Sequence, residues 1–358
     1  MWVKRMNASL QERVSVILPA RNEEANIARV VRSLARQQGI REILVVDDQS
    51  EDRTREVLAG LETEIPRLRT LRVESLPEGW LGKTHAAAEG ARAATGDWLL
   101  FTDADTEHLS GSLAELLERA ERERADLLSV SPGQETPTWW EKSVIPVIYV
   151  KLSRLFRFED VSDPRSPAAA ANGQYLLVRR EIYERSGGHE AVKAEILEDV
   201  ELARRMKLLG GRLIFLPGAR WVRTRMYHSF GDMWRGWSKN LYLLYGGNLR
   251  RMLGTVTSLL LLDVLPVPGF VAACLWVIAG QARVSATLAV IGFFLVMLGR
   301  QWNYRRALGR LGFNQALASY QAIGALLVGG LLLNSARVHR AAGRIEWKGR
   351  YYPTRGKG

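Results

Sequence analysis

The 358-residue chain contains a single cysteine, Cys274, so no intramolecular disulfide can form. Nothing in this speaks against a reducing, cytoplasmic setting. Histidine is scarce as well, with five in the chain. None has partners at zinc-like spacing, and His189 and His228 read as ordinary surface or core histidines. A Gly-x-x-x-x-Gly-Lys-Ser/Thr loop is missing, which argues against a P-loop enzyme. A Gly-x-Ser-x-Gly nucleophile elbow is missing too. The opening stretch, Met1 to Arg13, is polar, and the first apolar run, Val14 to Leu18, is too short for the core of a signal peptide. The front of the chain is therefore expected to stay on the cytoplasmic side.

What is abundant is positive charge and, late in the chain, apolar residues. The net charge is +12. A basic excess suits nucleic acid, anionic lipid or an anionic substrate. Here the arginines gather around apolar blocks rather than along one polar face, so lipid headgroups explain them better than nucleic acid. A mean hydropathy of -0.10 hides a sharp change near Met252, after which apolar residues dominate as far as Ser335. The expected organisation is an α/β domain over 1–228, a Trp- and Arg-rich interfacial helix over 229–251, a membrane region over 252–335 and a basic tail over 336–358.

The front part alternates regularly. Val14 to Leu18, Glu42 to Val46, Leu68 to Val73, Trp98 to Phe101 and Asp126 to Ser131 read as strands, separated by helical stripes such as Ile27, Val30, Val31 and Leu34. Alternation of this kind builds a mostly parallel, doubly wound sheet. After Pro132 the pattern loosens. Trp139 to Phe158 is an aromatic and basic amphipathic helix, which suits a membrane interface or a place against the sheet. Asp160 to Ala171 reads as a mobile loop, and Gly173 to Val178 and Arg212 to Leu216 as further strands.

Three apolar blocks follow: Leu253 to Ala279, Val284 to Leu298 and Ala316 to Leu333. The second is short for a span of about 20 residues unless Arg283 and Arg300 snorkel. Basic clusters stand before the first block (Arg250, Arg251), between the second and third (Arg300 to Arg310) and after the third (Arg337 to Arg350). The positive-inside rule wants all three on the cytoplasmic face, which three full spans cannot satisfy. Either the first block is a re-entrant hairpin bent at Pro266-Val-Pro268, or the tail is outside against the rule. The hairpin is the expectation.

Carboxylates carry the chemistry. The strand Trp98 to Phe101 runs straight into Asp103-Ala-Asp105. In open α/β sheets ligands bind just beyond the carboxyl ends of strands. Residues i and i+2 of an extended chain point the same way, and two hard oxygens there suit Mg²⁺ or Mn²⁺ shared with a diphosphate. A bare Asp-x-Asp is also a common polar turn. Its company is Asp47-Asp48 at another strand end, Glu198-Asp199 at a helix start and Glu23 in the first loop.

Together Val16-Ile-Leu-Pro19-Ala-Arg-Asn22-Glu23-Glu24, Val45-Val-Asp47-Asp48-Gln-Ser50-x-Asp52, Asp103-Ala-Asp105 and Glu198-Asp199 resemble the family 2 glycosyltransferases, with their GT-A nucleotide-diphospho-sugar fold, over about Val14 to Tyr245. Gly79-Trp-Leu-Gly-Lys83, Arg235-Gly-Trp237 and the tail from Ile345 to Arg350 look like the membrane-anchored branch that includes hopanoid-associated and carotenoid glycosyltransferases. The resemblance implies roles. Pro19, Ala20, Arg21, Glu23 and Asp48 would grip the nucleotide. Asp103 would contact ribose or metal, Asp105 would hold a divalent Mg or Mn ion, and Lys83 would add charge beside the diphosphate. Asp199 would be the base of an inverting transfer, kept ionised by its helix N-terminus. Glu198, Arg235 and Trp237 would face acceptor or diphosphate; alternatively Trp234 and Trp237 form an interfacial or core stripe.

The processive relatives' Gln-x-x-Arg-Trp is replaced by Asp232-Met-Trp-Arg235-Gly-Trp237, which points to a single transfer. The expected activity is hexose transfer from a nucleotide-diphospho-sugar, UDP-linked, to a membrane lipid by a multi-pass protein of the inner membrane, catalytic domain cytoplasmic. The alternative is a non-catalytic sugar-nucleotide-binding scaffold.

Overall fold

The structure is a computed structural model that describes residues 12–279, 284–342, 344–347 and 350–353. Arg283, Lys348 and the opening residues 1–11, on which the charge pattern also drew, lie outside the described residues. The chain forms two compact units, one of residues 1–134 and 156–226, the other of residues 135–155 and 227–358. The Trp139–Leu155 helix is thus grouped with the C-terminal part of the chain.

The first unit is a mixed α/β fold. Among the described residues its main sheet has seven strands: β1 (Val14–Ala20), β2 (Ile40–Asp47), β3 (Leu68–Arg72), β4 (Trp98–Phe101), β6 (Leu127–Ser131), β8 (Leu176–Arg179) and β9 (Leu213–Pro217), in the order β3-β2-β1-β4-β8-β6-β9. β1, β2, β3 and β4 are parallel; β8 enters antiparallel to both β4 and β6. A small sheet of β5 (Thr106–His108), β10 (Val222–Thr224) and β7 (Gly133–Gln134) lies in the order β5-β10-β7. The central strands are continuous apolar runs, VSVILPA and WLLF, because both faces are covered. One face packs the Ile27–Ala35 and Ser112–Arg122 helices around Val16, Leu18, Trp98 and Leu100. The other packs Ala87 and Ala91 of the Gly82–Ala93 helix with Leu202, Ala203 and Met206 of the Glu198–Leu208 helix around Ile17, Leu44 and Leu99. Alanines let the Gly82–Ala93 helix lie close to the sheet, which brings its N-terminus to the strand ends. The stretch Asp160 to Ala171, expected as a loop throughout, begins in a short helix, Phe158–Ser162, pinned by buried Val161. The Phe158 and Phe215 rings meet there at a tilt, centroids 4.8 Å apart, a contact that the polar sequence around them conceals.

The second unit is helical. Among the described residues, three helices are long and apolar enough to cross a membrane: Leu249–Ile278, Val284–Arg310 and Gln315–Arg340. The expected bend at Pro266-Val-Pro268 does not occur. Leu265 N donates to Leu260 O at 2.8 Å, a wide π-turn over Leu260–Val264, and Pro266 takes the first position of the next helical segment, where it has no N–H to lose. Arg300, expected to reach for the membrane surface, has a partner within the protein. It is bound bidentately to Asp263, at 2.8 Å through both nitrogens, and Gln321 donates to the same carboxylate at 2.7 Å.

Candidate active site

The two front loops are zipped together by side chains. Asn22, at φ 54°, accepts from Glu51 N at 2.8 Å, while its own N–H donates to Ser50 Oγ at 3.0 Å. Glu23 N donates to Thr54 Oγ1 and Glu24 N to Asp52 Oδ2. Buried Arg21 donates to the carbonyls of Asp48 and Gln49 at 2.7 and 2.9 Å. Asp47 accepts from Ser50 N and from Arg55 at 2.7 Å. Arg21 and Asp47 therefore shape the loops, while Pro19 lines the cleft that follows.

That cleft is lined by Pro19, Lys83, Phe101, Thr102, Asp103, Gly173, His189, Glu198 and Asp199, among others. Three elements converge there. Thr102 closes β4: its N–H donates to Ile17 O at 3.1 Å and its hydroxyl to Gln174 O at 2.9 Å. Beyond it the chain turns at Ala104–Asp105, with Ala104 and Thr106 buried and Asp103 and Asp105 partly exposed. The Gly82–Ala93 helix supplies Lys83, whose ammonium lies 2.8 Å from Asp103 Oδ1 and 3.0 Å from Glu198 Oε1. The Glu198–Leu208 helix supplies Asp199. Its carboxylate accepts from Gly173 N at 2.7 Å and from Val200 N at 2.8 Å.

The loop before β8 joins the two acidic groups. Gly173 bonds Asp199, and the Gln174 amide approaches both Asp105 oxygens at 3.4 Å while donating to Thr224 at 3.0 Å. Neither glycine nor glutamine stood out in the sequence, since nothing local marks a backbone that must pass close to two side chains. A Cβ on Gly173 would sit 3.1 Å from Lys83 Nζ and 3.5 Å from Asp199 Oδ2. Gly173→Ala should therefore fold, losing at most about 1 kcal/mol because the lysine end can yield. It should lower the transfer rate about tenfold through misplaced charge, as steady-state kinetics with a parallel melting curve would show.

The electrostatics are those of a site short of positive charge. Burial, then the neighbouring Asp103 and Glu23 carboxylates, push Asp105 up from its ordinary range. Asp199 is raised as well, by burial first and Glu198 second, against Lys83 and its two backbone donors. The expected lowering by the helix N-terminus is outweighed, because a carboxyl surrounded by protein loses more hydration than two N–H groups return. Lys83 is held well above its usual value by Asp103, Glu198 and Asp199, which overcome its own burial. His189 is pushed down to about 3 by burial and by Lys83, so it is a neutral wall of the cleft, its ring tilted against Phe101 with centroids 4.6 Å apart. Among the described residues no group of three or more His, Cys, Asp or Glu side chains is arranged to hold a metal ion. Asp103 and Asp105 offer two hard-oxygen ligands, and the strain on Asp105 fits a cation shared with an anionic ligand's oxygens.

Arg235 and Trp237 belong to the second unit, on the Phe230–Leu244 helix. Arg235 is bound to Asp232 at 2.6 Å. Trp237 is buried, edge-on to Tyr149 at 6.1 Å and near Tyr227.

A mixed sheet with acids gathered at its strand ends is the GT-A architecture. Residues 15–187, just under half of the chain, match the model of Glycosyl transferase family 2. It is similar to a 4,4'-diaponeurosporenoate glycosyltransferase of Staphylococcus aureus (strain USA300), 25% identical over 342 residues that cover 95% of this chain and 88% of the relative. In structure it is similar to a mannosyltransferase, PcManGT, from Pyrobaculum calidifontis, solved in complex with GDP-Man and Mn2+. That likeness has a TM-score of 0.52 at 17% identity and covers 94% of this chain and 93% of the other, and it bears on the fold alone.

Proposed function

We propose that this chain is an inverting, non-processive hexosyltransferase that uses a UDP-sugar and a divalent Mg or Mn ion to glycosylate a membrane lipid at the cytoplasmic face. The observation that carries the reading is the meeting of Lys83, Asp103, Glu198 and Asp199 in one cleft, with Asp105 tied to it through Gln174. The loop Pro19 to Glu23 and Asp48 form the nucleotide end, and Asp103 the ribose side. A divalent cation on Asp103 and Asp105 would offset charge on the departing diphosphate. Lys83 holds further positive charge on the same side. Asp199, fixed by two N–H donors, takes the proton of an acceptor hydroxyl as it attacks the anomeric carbon from the face opposite the diphosphate. The S. aureus relative is named for 4,4'-diaponeurosporenoate, and helices long and apolar enough to cross a membrane support an acceptor of comparable apolarity, such as a carotenoid, hopanoid or polyprenyl lipid.

Membranes carrying the full chain, incubated with radiolabelled UDP-glucose and lipid extract, should transfer label to the organic phase. Chelation should abolish the transfer and added Mn²⁺ or Mg²⁺ restore it. Asp105→Ala should cut it by at least about a hundredfold with metal in excess. If no nucleotide sugar labels lipid, or Asp105→Ala is fully active, the reading is wrong.

A further inference from the structure

The three apolar helices of the second unit are not equivalent. Pro266–Ile278 and the first half of Val284–Arg310 run antiparallel. Asp263 meets Arg300, Gly269 lies against the ring of Phe293, and Phe270 and Phe294 stand 6.4 Å apart. Outward from that ion pair, the buried residues are small or few: Pro266, Ala273 and Ala286. Leu275, Ile278, Val284, Leu288, Phe294, Leu295 and their neighbours are exposed. In the apolar window of Val284–Arg310 only 6% of residues are buried.

The third helix differs. Half of its apolar window is buried. It starts at the ion pair, where Gln321 donates to Asp263, and runs the other way, beside Leu249–Leu259, with Gly329 facing Val256. It ends on the Phe230–Leu244 helix. Ser335 Oγ donates to Ser238 O at 2.6 Å and accepts from Tyr242 N at 2.8 Å, and His339 lies 2.7 Å from Lys239 O. That neighbour carries Asp232, Arg235 and Lys239, and Leu249–Leu259 carries Arg250 and Arg251. Each such charge costs about 2.5–3.5 kcal/mol at the centre of a bilayer, so this layer of helices does not belong in hydrocarbon.

We infer that only one helical hairpin, its arms Pro266–Ile278 and residues 284–298, enters the lipid. Gln321–Arg337 does not cross, and the C-terminal tail stays on the membrane face from which Leu249–Leu259 approaches. The occupant of the exposed hairpin surface is the acyl layer of a bilayer bearing anionic headgroups. Thirteen to fifteen helical residues reach about 20–22 Å, short of the ~30 Å hydrocarbon core. At the base of the arms, Lys151, Arg154 and Arg300 line one cleft with Asp263. Just beyond, Arg306 lies over exposed Trp302 at 5.7 Å, an aromatic and cationic pairing suited to headgroup level. This arrangement puts all three basic clusters on one face, which three spans cannot do.

The inference rests on the membrane attachment proposed above. The test uses the full chain with an epitope at each end, in spheroplasts and in inside-out vesicles treated with protease. Both epitopes should be protected in spheroplasts and digested in the vesicles. Epitopes on opposite faces would overturn the hairpin while leaving the glycosyltransferase reading intact; an untagged chain found wholly in the soluble fraction would end both. In a second arm, Leu288→Lys with Leu295→Lys should lower the membrane-bound fraction by at least about tenfold, whereas Leu326→Lys should leave it unchanged. Melting curves in detergent would check that both variants fold. Equal losses in two folded variants, or no loss in the hairpin pair, would also overturn it.

Discussion

Replacing Asp199 by asparagine should cut sugar transfer by about 10²–10⁴-fold while leaving donor affinity nearly unchanged. Asparagine keeps the shape, and its carbonyl can still accept from one of the two donors, Gly173 N or Val200 N. The amide end would then face an N–H, so a stability loss of about 1–3 kcal/mol accompanies the change. Titration with UDP-sugar would separate a folded, donor-binding variant from a collapsed one. The pH profile gives a second readout. Burial and Glu198 raise Asp199 to about 7. A base works only when deprotonated, so transfer should climb as pH rises through about 7 and flatten above it, and the variant should lose that limb. An acceptor that is itself a carboxylic acid arrives ionised. A loss of only a few-fold with Asp199→Asn, and no rising limb, would therefore remove the base role and make the acceptor a carboxylate.

The strands that build the sheet were legible because they are apolar on both faces. β1, β2 and β4 cannot be mistaken for loops, and an acid at or within three residues of the end of each is visible by eye. β8 was readable as a strand, but not its direction: LLVR carries no signal that distinguishes antiparallel from parallel pairing between β4 and β6. The small sheet escaped because β5, β10 and β7 are two or three residues long, and hydrophobic periodicity needs a longer window. Within the site, charged residues announced themselves and their supports did not. Thr102, Gly173 and Gln174 act through backbone position and uncharged hydrogen bonds. Asp263 and Arg300 sit 37 residues apart, and only the antiparallel packing shows that each answers the other's charge.

Lys83 stands where helix physics disfavours it. It is the second residue of Gly82–Ala93, at the end where the helix dipole is positive. What holds it there is acid from three sources: Asp103 after β4, and Glu198 and Asp199 at the start of another helix. Lys83→Met keeps the length of the stem and removes the charge. Asp103, Glu198 and Asp199 then face one another without a counter-ion, and the fold should lose about 3 kcal/mol at neutral pH. The sign of the pH dependence follows from the same carboxylates. Asp105 and Asp199 are both raised in the folded chain, so each weakens the fold as pH rises from the ordinary carboxylate range through about 7. Without Lys83 this repulsion grows. The variant's deficit should be largest at and above pH 7 and shrink as pH falls toward 4, where the native state takes up protons. Denaturant melts at pH 5 and pH 8 would measure it. If Lys83 stands beside the diphosphate as proposed, catalysis should fall separately, by about 10²–10³-fold, because that charge is lost. Lys83→Arg separates the two effects: a guanidinium can restore much of the stability, but its planar fork cannot place charge where a compact ammonium did, so transfer should stay low. Recovery of both together would reduce Lys83 to a structural counter-ion; recovery of stability alone would set it beside the departing diphosphate.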